Sequence, residues 1–294
     1  METVVIQSAK AAAELFKNHD VNFCDRKCIH VLTSHNYRDG SLAVGQFSPY
    51  WRMLRRLCSV EMMTNRRIDE TTSIRRKCID QMIRSIEDDV VAATARGESI
   101  VINLPKYLFL MAFNIVGNLM LSRDVLDSQT GSETTSAIIE WAMAELLRKP
   151  EVMKRVKEEL HEVVGVNRLV EESDIEKLPY LQALFKETLR RDPDSWEDPL
   201  AFKPDRFLDS NIDYKGQNFE LIPFGSGRRI CVGMLLVQRV VLLGLASLIN
   251  CFDWELDKDS TPETLDMKER IGVTVRKLVP LNVIPKRHPR IMAT

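Results

Sequence analysis

Residues 224–233 read FGSGRRICVG and place one cysteine, Cys231, on a glycine-rich loop. The three glycines of this loop remove side chains where the backbone has to approach a bulky group, and glycine tolerates the positive φ values that such loops need. The apolar residues from Met234 onwards recur at helical spacing. We therefore predict that Cys231 lies just before a helix N-terminus, where free N–H groups and the helix dipole favour a thiolate.

The spacing of Phe224, Gly227, Arg229, Cys231 and Gly233 resembles the haem-ligand signature of the cytochrome P-450 monooxygenases. In that family a cysteine thiolate is the proximal ligand of the iron of haem b. The resemblance implies that Cys231 binds the iron, that Phe224 shields its sulfur and that Arg229 pairs with a haem propionate. The residues alone also allow a buried structural cysteine on a glycine loop.

Composition and charge narrow the class of protein. Hydrophobic residues make up 45% of the 294 residues, as in globular proteins, and 41 basic against 42 acidic residues give no electrostatic basis for binding nucleic acid. Six cysteines at irregular positions favour reduced thiols over a disulfide framework. The longest apolar run, residues 240–249, is shorter than a membrane span, and the N-terminus carries no targeting pattern.

Helical periodicity predominates along the chain. It predicts helices after the caps Ser8 and Ser48, over 68–95, 104–122, 150–165 and 179–190, and along the apolar residues Ile138, Ile139, Ala142, Met143 and Leu146 that follow residues 130–136. Alternation at 252–256 and 272–284 predicts a few strands. The fold class is therefore mainly α with small β-sheets, which the resemblance refines to one cytochrome P-450 domain over residues 1–294.

Trp51 and Arg55 stand one turn apart on the helix that begins after Ser48, so the indole N–H and the guanidinium project from the same side. The pair resembles the Trp-x-x-x-Arg element of the family, whose donors hold a haem propionate. The residues alone are also compatible with a core tryptophan beside a solvated arginine.

Gly131, Glu133 and Thr134 resemble the oxygen-activation segment of the family, in which a carboxylate and a hydroxyl relay protons. The alanine that precedes this glycine in the family is Thr130 here. Thr130 and Glu133 also have the spacing of a capping box, which would only start a helix. The two interpretations stay open at this point.

Glu187 and Arg190 resemble the Glu-x-x-Arg pair of the family, although Glu145 and Arg148 match the same pattern. Position favours Glu187, because residues 204–207, PDRF, follow it and resemble the Pro-x-Arg-Phe element. The resemblance implies a structural triad of Glu187, Arg190 and Arg206 that supports folding and haem retention.

The motifs occur in family order, but three parts of the family pattern are missing. From the resemblance we expect the chain to begin at the first strand, without the membrane anchor. We also expect two internal deletions, near 127–131 and near 190–191, at which family segments that are normally separated follow each other directly. These two apparent internal deletions omit the roof helices of the distal pocket and part of the sheet. We therefore expect an incomplete fold that keeps the proximal side and loses much of the substrate pocket.

The phrases GSETTS (131–136) and WAMAEL (141–146) are most similar to plant members, in the group that contains geraniol hydroxylases. The resemblance implies a monooxygenase that acts on a small lipophilic, terpenoid-like substrate with electrons from NADPH through a reductase. It also implies the endoplasmic reticulum membrane, or a cytosolic or peripheral location without the anchor. The alternatives are a truncated, non-catalytic remnant with weak or no haem binding, and a helical interaction protein.

Overall fold

The computed structural model describes residue 6 and residues 8–27, 37–126, 134–165, 168–190, 195–272 and 274–288. The chain divides into two compact units. The first unit comprises Met1–Glu70, Leu189–Ala201 and Asn211–Leu236, and the second comprises Thr71–Thr188, Phe202–Ser210 and Val237–Thr294.

The first unit is built from short helices and the glycine-rich loop of residues 224–233 that carries Cys231, which we call the cysteine loop. Its α-helices are α1 (Ala9–Asn18), α2 (Tyr37–Gly40), α3 (Pro49–Leu57) and α4 (Asn65–Glu70), with a π-helical stretch over Cys58–Met62 and 3₁₀ turns at Asp20–Phe23 and Gly227–Arg229. The side chains of Ser8 and Ser48 accept hydrogen bonds from the N–H groups of Ala11 and Trp51, at 3.2 and 3.1 Å. Both predicted caps are therefore confirmed.

The second unit contains the long helices. These are α5 (Thr72–Ala95), α6 (Leu104–Leu121), α7 (Thr134–Arg148), α8 (Pro150–Val164), most of α9 (Pro179–Leu189) and most of α10 (Met234–Cys251). Helix α6 packs against α5 and α7. A Cβ on Gly244 of α10 would lie 3.2 Å from Ile139 Cδ1, so α10 and α7 are in close contact at this glycine.

Two small antiparallel sheets complete the second unit. The three-stranded sheet has the order β1 (Ile102–Asn103), β5 (Asn282–Arg287), β2 (Phe252–Leu256), and β3 (Glu269–Ile271) pairs with β4 (Val275–Lys277). Strand β1 pairs only with residues 282 and 283 of β5. No residue of β1 therefore stands opposite Pro285 of β5. A proline has no N–H to donate, so it is tolerated in a sheet at a position where one side of its strand is unpaired. The predicted mainly helical fold with small sheets is confirmed.

The single helix predicted over 68–95 is two helices, α4 and α5. Thr71 separates them with φ −105° and ψ 12°, outside helical values. Its carbonyl accepts from the N–H groups of Ile74 and Arg75, so Thr71 acts as the start of α5. Apolar periodicity continues across this point, which is why the sequence did not indicate the break.

Two helices, α6 and α10, are long and apolar enough to cross a membrane by length and composition, which corrects the prediction from continuous apolar runs. In α6, 33% of the 18-residue apolar window is buried inside the protein, and in α10 the buried share is 61%. Core helices of soluble proteins pass the same test, so this is weak support for a membrane span.

Candidate functional site

Cys231 lies on a closed loop three residues before α10, as predicted, and its thiol is free and exposed. The N–H of Cys231 donates to the carbonyl of Phe224 at 2.9 Å, which closes the loop. Gly225 and Gly227 have φ of 75° and 64°, so these two glycines are needed for their conformation. A Cβ on Gly227 would also come within 3.2 Å of both Asp20 Oδ2 and Phe16 Cδ1.

Gly233 and Phe224 flank the cysteine in different ways. Gly233 does not have a positive φ, but a Cβ there would lie 4.0 Å from Cys231 Sγ, so a side chain would narrow the approach to the sulfur. Phe224 packs edge to face against Tyr214, with ring centroids 5.7 Å apart. Burial raises the pKa of the Tyr214 hydroxyl, so this packing partner is held neutral.

The other described cysteines are less exposed than Cys231. Burial raises the pKa of the Cys78 thiol to about 11 and that of Cys251 to about 12. Cys24 is buried and donates its S–H to the carbonyl of Val21, while Cys58 is half-buried. Metal ligation by cysteine requires the thiolate, so exposure distinguishes Cys231 from this group.

Trp51 is buried, with 4% of its surface exposed, and its indole N–H donates to the carbonyl of Leu42 at 3.0 Å. This bond uses the one donor that the predicted propionate contact would need. Arg55, one turn later on α3, is half-buried. Within the described residues it has no hydrogen bond or ion pair. Burial lowers the pKa of Arg55, and the electrostatic influence of Cys231 and Cys58 acts in the opposite direction.

The Arg229 side chain lies beside Trp51. Its guanidinium donates to the carbonyls of Cys24, Leu42 and Gly45 and lies over the Trp51 ring, 4.0 Å from the centroid. Burial lowers the pKa of the Arg229 guanidinium, and the positive charges of Arg26 and Arg55 lower it further. In the described part of the chain, neither Arg55 nor Arg229 forms an ion pair with a carboxylate.

These observations fit the haem that the sequence implies. An exposed sulfur on a glycine loop can approach a metal. The Arg55 and Arg229 guanidiniums, which form no ion pair with any residue that the structure describes, favour an anionic group such as a propionate. Among the described residues no carbonyl or carboxylate engages Arg55, whereas the Trp51 donor and three donors of Arg229 are engaged by carbonyls. The propionate contacts of Trp51 and Arg229 therefore stay predictions.

The predicted structural triad divides between the units. In the second unit, Glu187 is buried, lies 3.0 Å from Arg206 Nε and accepts from the N–H of Lys203 at 3.0 Å. In the first unit, Arg190 donates to the carbonyls of Pro199 and Ala201 at 2.7 and 3.2 Å.

The predicted proton-relay residues cannot be placed. Gly131 and Glu133 lie outside the described residues, as does the side chain of Thr134, whose backbone begins α7. Their roles stay predictions, and so does the capping alternative.

A groove of about 560 Å³ runs along α8 in the second unit, with Trp254 and His288 among its lining residues. None of the predicted site residues lines it.

A buried charged network in the second unit was missed by the sequence-based prediction. Arg75 is fully buried and donates to both carboxylate oxygens of Glu172, at 3.0 and 2.8 Å, while Arg239 of α10 donates to the same carboxylate at 2.8 Å. The sequence did carry one signal. Arg75 lies four residues before Ile79, on the apolar stripe of α5, where a charge needs a buried partner.

Comparison with known proteins gives the same family. A family model described as cytochrome P-450 matches residues 1–130, 128–191 and 189–281. Iridoid oxidase of Catharanthus roseus is 38% identical over 436 aligned positions, which cover 99% of this chain and 85% of the relative. Geraniol 8-hydroxylase of Catharanthus roseus is 42% identical over a shorter stretch, 53% of this chain and 39% of the relative.

A solved zebrafish cytochrome P-450, determined with abiraterone, superposes with a TM-score of 0.74 at 18% identity, covering 98% of this chain and 93% of that chain. At this identity the likeness concerns the fold. With the family model and the relatives, it shows that the chain belongs to the cytochrome P-450 family of oxygen-incorporating oxidoreductases.

Proposed function

We propose that this chain is a haem-thiolate monooxygenase that inserts one oxygen atom from dioxygen into a small lipophilic, terpenoid-like substrate. The observation that carries the proposal is the exposed Cys231 thiol on a closed glycine loop, which follows the spacing of the haem-ligand signature. The names of the relatives, iridoid oxidase and geraniol 8-hydroxylase, support the substrate class.

Each predicted residue has a stated task in this proposal. Haem, when bound, supplies the activation of dioxygen. Cys231 holds the iron through its thiolate, and the glycine loop leaves room for the flat ring. Arg55 binds a propionate, with Arg229 and Trp51 beside it. Glu133 and the Thr134 hydroxyl would relay protons for the activation of dioxygen, and Gly131 belongs to the same predicted segment.

Electrons would come from NADPH through a reductase, and we place the protein at the endoplasmic reticulum membrane or peripheral to it. Family membership supports the reductase, and the two long apolar helices give weak support for membrane contact. Glu187 with Arg206, and Arg190 nearby in sequence, would keep the fold able to retain haem.

The test is a carbon monoxide difference spectrum of the ferrous protein after reconstitution with haem. A strongly red-shifted Soret band indicates thiolate ligation. We expect Cys231→Ser to abolish this band, since the substitution removes the sulfur, whereas the half-buried Cys58→Ser serves as a matched control and should retain it. Persistence of the band in Cys231→Ser would exclude Cys231 as the ligand.

A second candidate is a non-catalytic remnant of the family that binds haem weakly or not at all. Two comparisons favour it. The family model matches in three segments that meet at 128–130 and 189–191, and the alignment with iridoid oxidase has 436 positions for a chain of 294 residues. These joins coincide with the predicted deletions near 127–131 and 190–191, which would open the pocket to water.

Turnover separates the two candidates. A haem-loaded sample is incubated with NADPH, a plant reductase and a panel of monoterpenoids, and hydroxylated products are measured by mass spectrometry. Product formation supports the monooxygenase. Complete lack of product in a sample that shows the thiolate spectrum decides for the remnant.

A further inference from the structure

The cysteine loop packs against residues 213–218 of the same unit, which we call the supporting segment. This segment is closed by its own hydrogen bonds. The N–H of Asp213 donates to Asn218 Oδ1 at 3.1 Å, and the N–H of Lys215 donates to Asp213 Oδ1 at 2.9 Å. The supporting segment therefore has a shape of its own, against which the cysteine loop can be held.

A buried hydrogen bond joins the two. Ser226 is 5% exposed, and its hydroxyl donates to the carbonyl of Gly216 at 2.6 Å. Ser226 stands directly before the 3₁₀ turn Gly227–Arg229, a position at which a serine side chain commonly accepts from the N–H groups that follow it. Within this described turn it makes no such bond. The hydroxyl is instead used to bind the supporting segment.

Gly216 brings the backbone of the supporting segment close to the loop. A Cβ at this position would lie 2.7 Å from Ile230 Cδ1, 3.2 Å from Gly225 O and 3.4 Å from Ser226 Cα. Gly216 also has a φ of 82°, which residues with a side chain rarely adopt. Position 216 thus favours glycine for its contacts as well as its conformation, and one of these contacts is to the residue that precedes Cys231.

A third contact lies at the start of the loop. The buried Tyr214 packs edge to face against Phe224, whose carbonyl accepts from the N–H of Cys231. The supporting segment therefore contacts the loop at Phe224, Ser226 and Ile230, while the Cys231 thiol is exposed. Because the contacts are made by buried groups, they can hold the loop without obstructing the approach to the sulfur.

We propose that Gly216 and Ser226 are positioning residues, which hold the cysteine loop against the supporting segment and thereby fix the direction of the Cys231 sulfur. Their effect on iron ligation rests on the proposed function, whereas their effect on the loop does not. Both act through the loop, since the contacts described above are to residues other than Cys231. Groups that surround a metal ligand in this way keep it in the orientation that ligation requires.

The first experiment probes the loop in the full chain without haem. Trypsin cleaves after Arg228, which is exposed within the loop. We expect Ser226→Ala to speed this cleavage about fivefold, because the loss of a buried hydrogen bond makes opening of the loop easier. Ser247→Ala is the matched control. Ser247 is 2% exposed and its hydroxyl has no hydrogen-bond partner among the described residues, so cleavage should equal that of the wild type.

A second pair of variants separates contact from backbone strain. Gly216→Ala introduces both, and we expect it to speed cleavage after Arg228 about tenfold or more. Gly165 has a nearly equal φ of 81°, but a Cβ there would meet no described atom within 4 Å. Gly165→Ala therefore introduces the strain without the contact, and the cleavage rate of the loop should not change.

Haem is then added, and the carbon monoxide complex of the ferrous protein is followed over time. The rate at which the red-shifted band of thiolate ligation gives way to the unshifted band measures how firmly the sulfur is held. We expect this rate to be about fivefold higher in Ser226→Ala than in the wild type or Ser247→Ala. A residue with only a structural role would lower the melting temperature and leave this rate in the folded protein unchanged.

Several results would overturn the inference. Unchanged cleavage in Ser226→Ala, or equal acceleration in a variant and its control, would overturn the loop-holding role, and unchanged loss of the red-shifted band would overturn the positioning of the sulfur. If the wild type binds no haem, the proposed function fails together with the effect on ligation, while cleavage without haem still decides the effect on the loop.

A measurement on the wild type alone covers the case in which neither Ser226→Ala nor Gly216→Ala folds. Hydrogen exchange is followed by mass spectrometry in the peptides 213–219 and 224–231. If the supporting segment holds the loop, the two peptides open together and should lose protection at the same rate. Unequal rates would overturn the inference.

Discussion

Glu187 and Glu145 each stand three residues before an arginine, yet their surroundings differ. The Glu187 side chain is fully buried against Arg206, whose own side chain is 13% exposed, whereas Glu145 and Arg148 are 21% and 34% exposed. Sequence spacing cannot distinguish these cases, because burial depends on what packs over the helix. The PDRF stretch that follows Glu187 indicated the buried pair correctly, since it supplies the arginine partner.

This difference predicts unequal effects of the same substitution. Glu187→Gln leaves the buried Arg206 cation without its carboxylate and should reduce the free energy of unfolding by about 3–5 kcal/mol. Glu145→Gln is the matched control and should change it by less than about 1 kcal/mol. Urea unfolding followed by circular dichroism measures both. Equal effects would mean that the Glu187 pair contributes no more than a surface pair.

Residue chemistry explains how far the site could be predicted. The position of Cys231 before α10 follows from local glycine, apolar and helix-start signals, and the structure has it there. The engagement of Trp51 and Arg229 by carbonyls could not be predicted, because it depends on segments distant in sequence.

At the scale of elements, helix α7 is connected to the residue before β5 by a buried carboxylate. Glu140 is 5% exposed and accepts from the N–H of Leu281 at 2.9 Å. Burial raises the pKa of Glu140 above its ordinary value of 4.5, although this hydrogen bond and the positive charges of Lys277 and Arg276 act against the rise. The folded protein therefore binds this proton more tightly than the unfolded chain does.

The sign of the pKa shift predicts a pH dependence. A raised folded-state pKa contributes stability that is fully present below about pH 4.5 and is lost as the pH rises through the folded value. Glu140→Gln keeps an oxygen for the Leu281 N–H and cannot ionise. The stability of the variant relative to the wild type should therefore rise as the pH is raised from about 4 to 7.

Unfolding curves at several pH values check this expectation. Glu158→Gln is a suitable control, since Glu158 is 59% exposed in a pair with Lys154. Parallel stability profiles of the wild type and Glu140→Gln would contradict the prediction.

Some helix boundaries could be predicted from the sequence, whereas the break between α4 and α5 could not. Helix starts at Ser8 and Ser48 were predictable because a cap acts within three residues. The break at Thr71 and the burial of Arg75 were not, since both depend on the Arg75 side chain bonding to Thr71, Thr72 and the distant Glu172.

At the scale of the whole molecule, exposed apolar side chains gather at the end of α6 and just after it. Val116, Met120, Leu121 and Val125 are 48%, 73%, 58% and 42% exposed, shortly before the predicted deletion near 127–131. Clustered exposed apolar residues of this kind favour association between molecules.

We therefore expect the protein to associate as its concentration rises, which light scattering measures. The double variant Met120→Lys with Leu121→Lys should reduce the association, because charge replaces apolar surface and a cation suits the C-terminal end of a helix. Val91→Lys, at a residue of α5 that is 52% exposed, is the control and should leave it unchanged. Monomeric wild-type protein at every concentration would contradict this expectation.

The Leu42 carbonyl accepts from both Trp51 and Arg229, and neither bond involves the leucine side chain. These two bonds therefore do not depend on which side chain stands at position 42, provided that the backbone keeps its path. Among natural relatives this position would then show drift like that of any loop residue, and statistics of sequence variation would overlook a contact on which the cysteine loop depends.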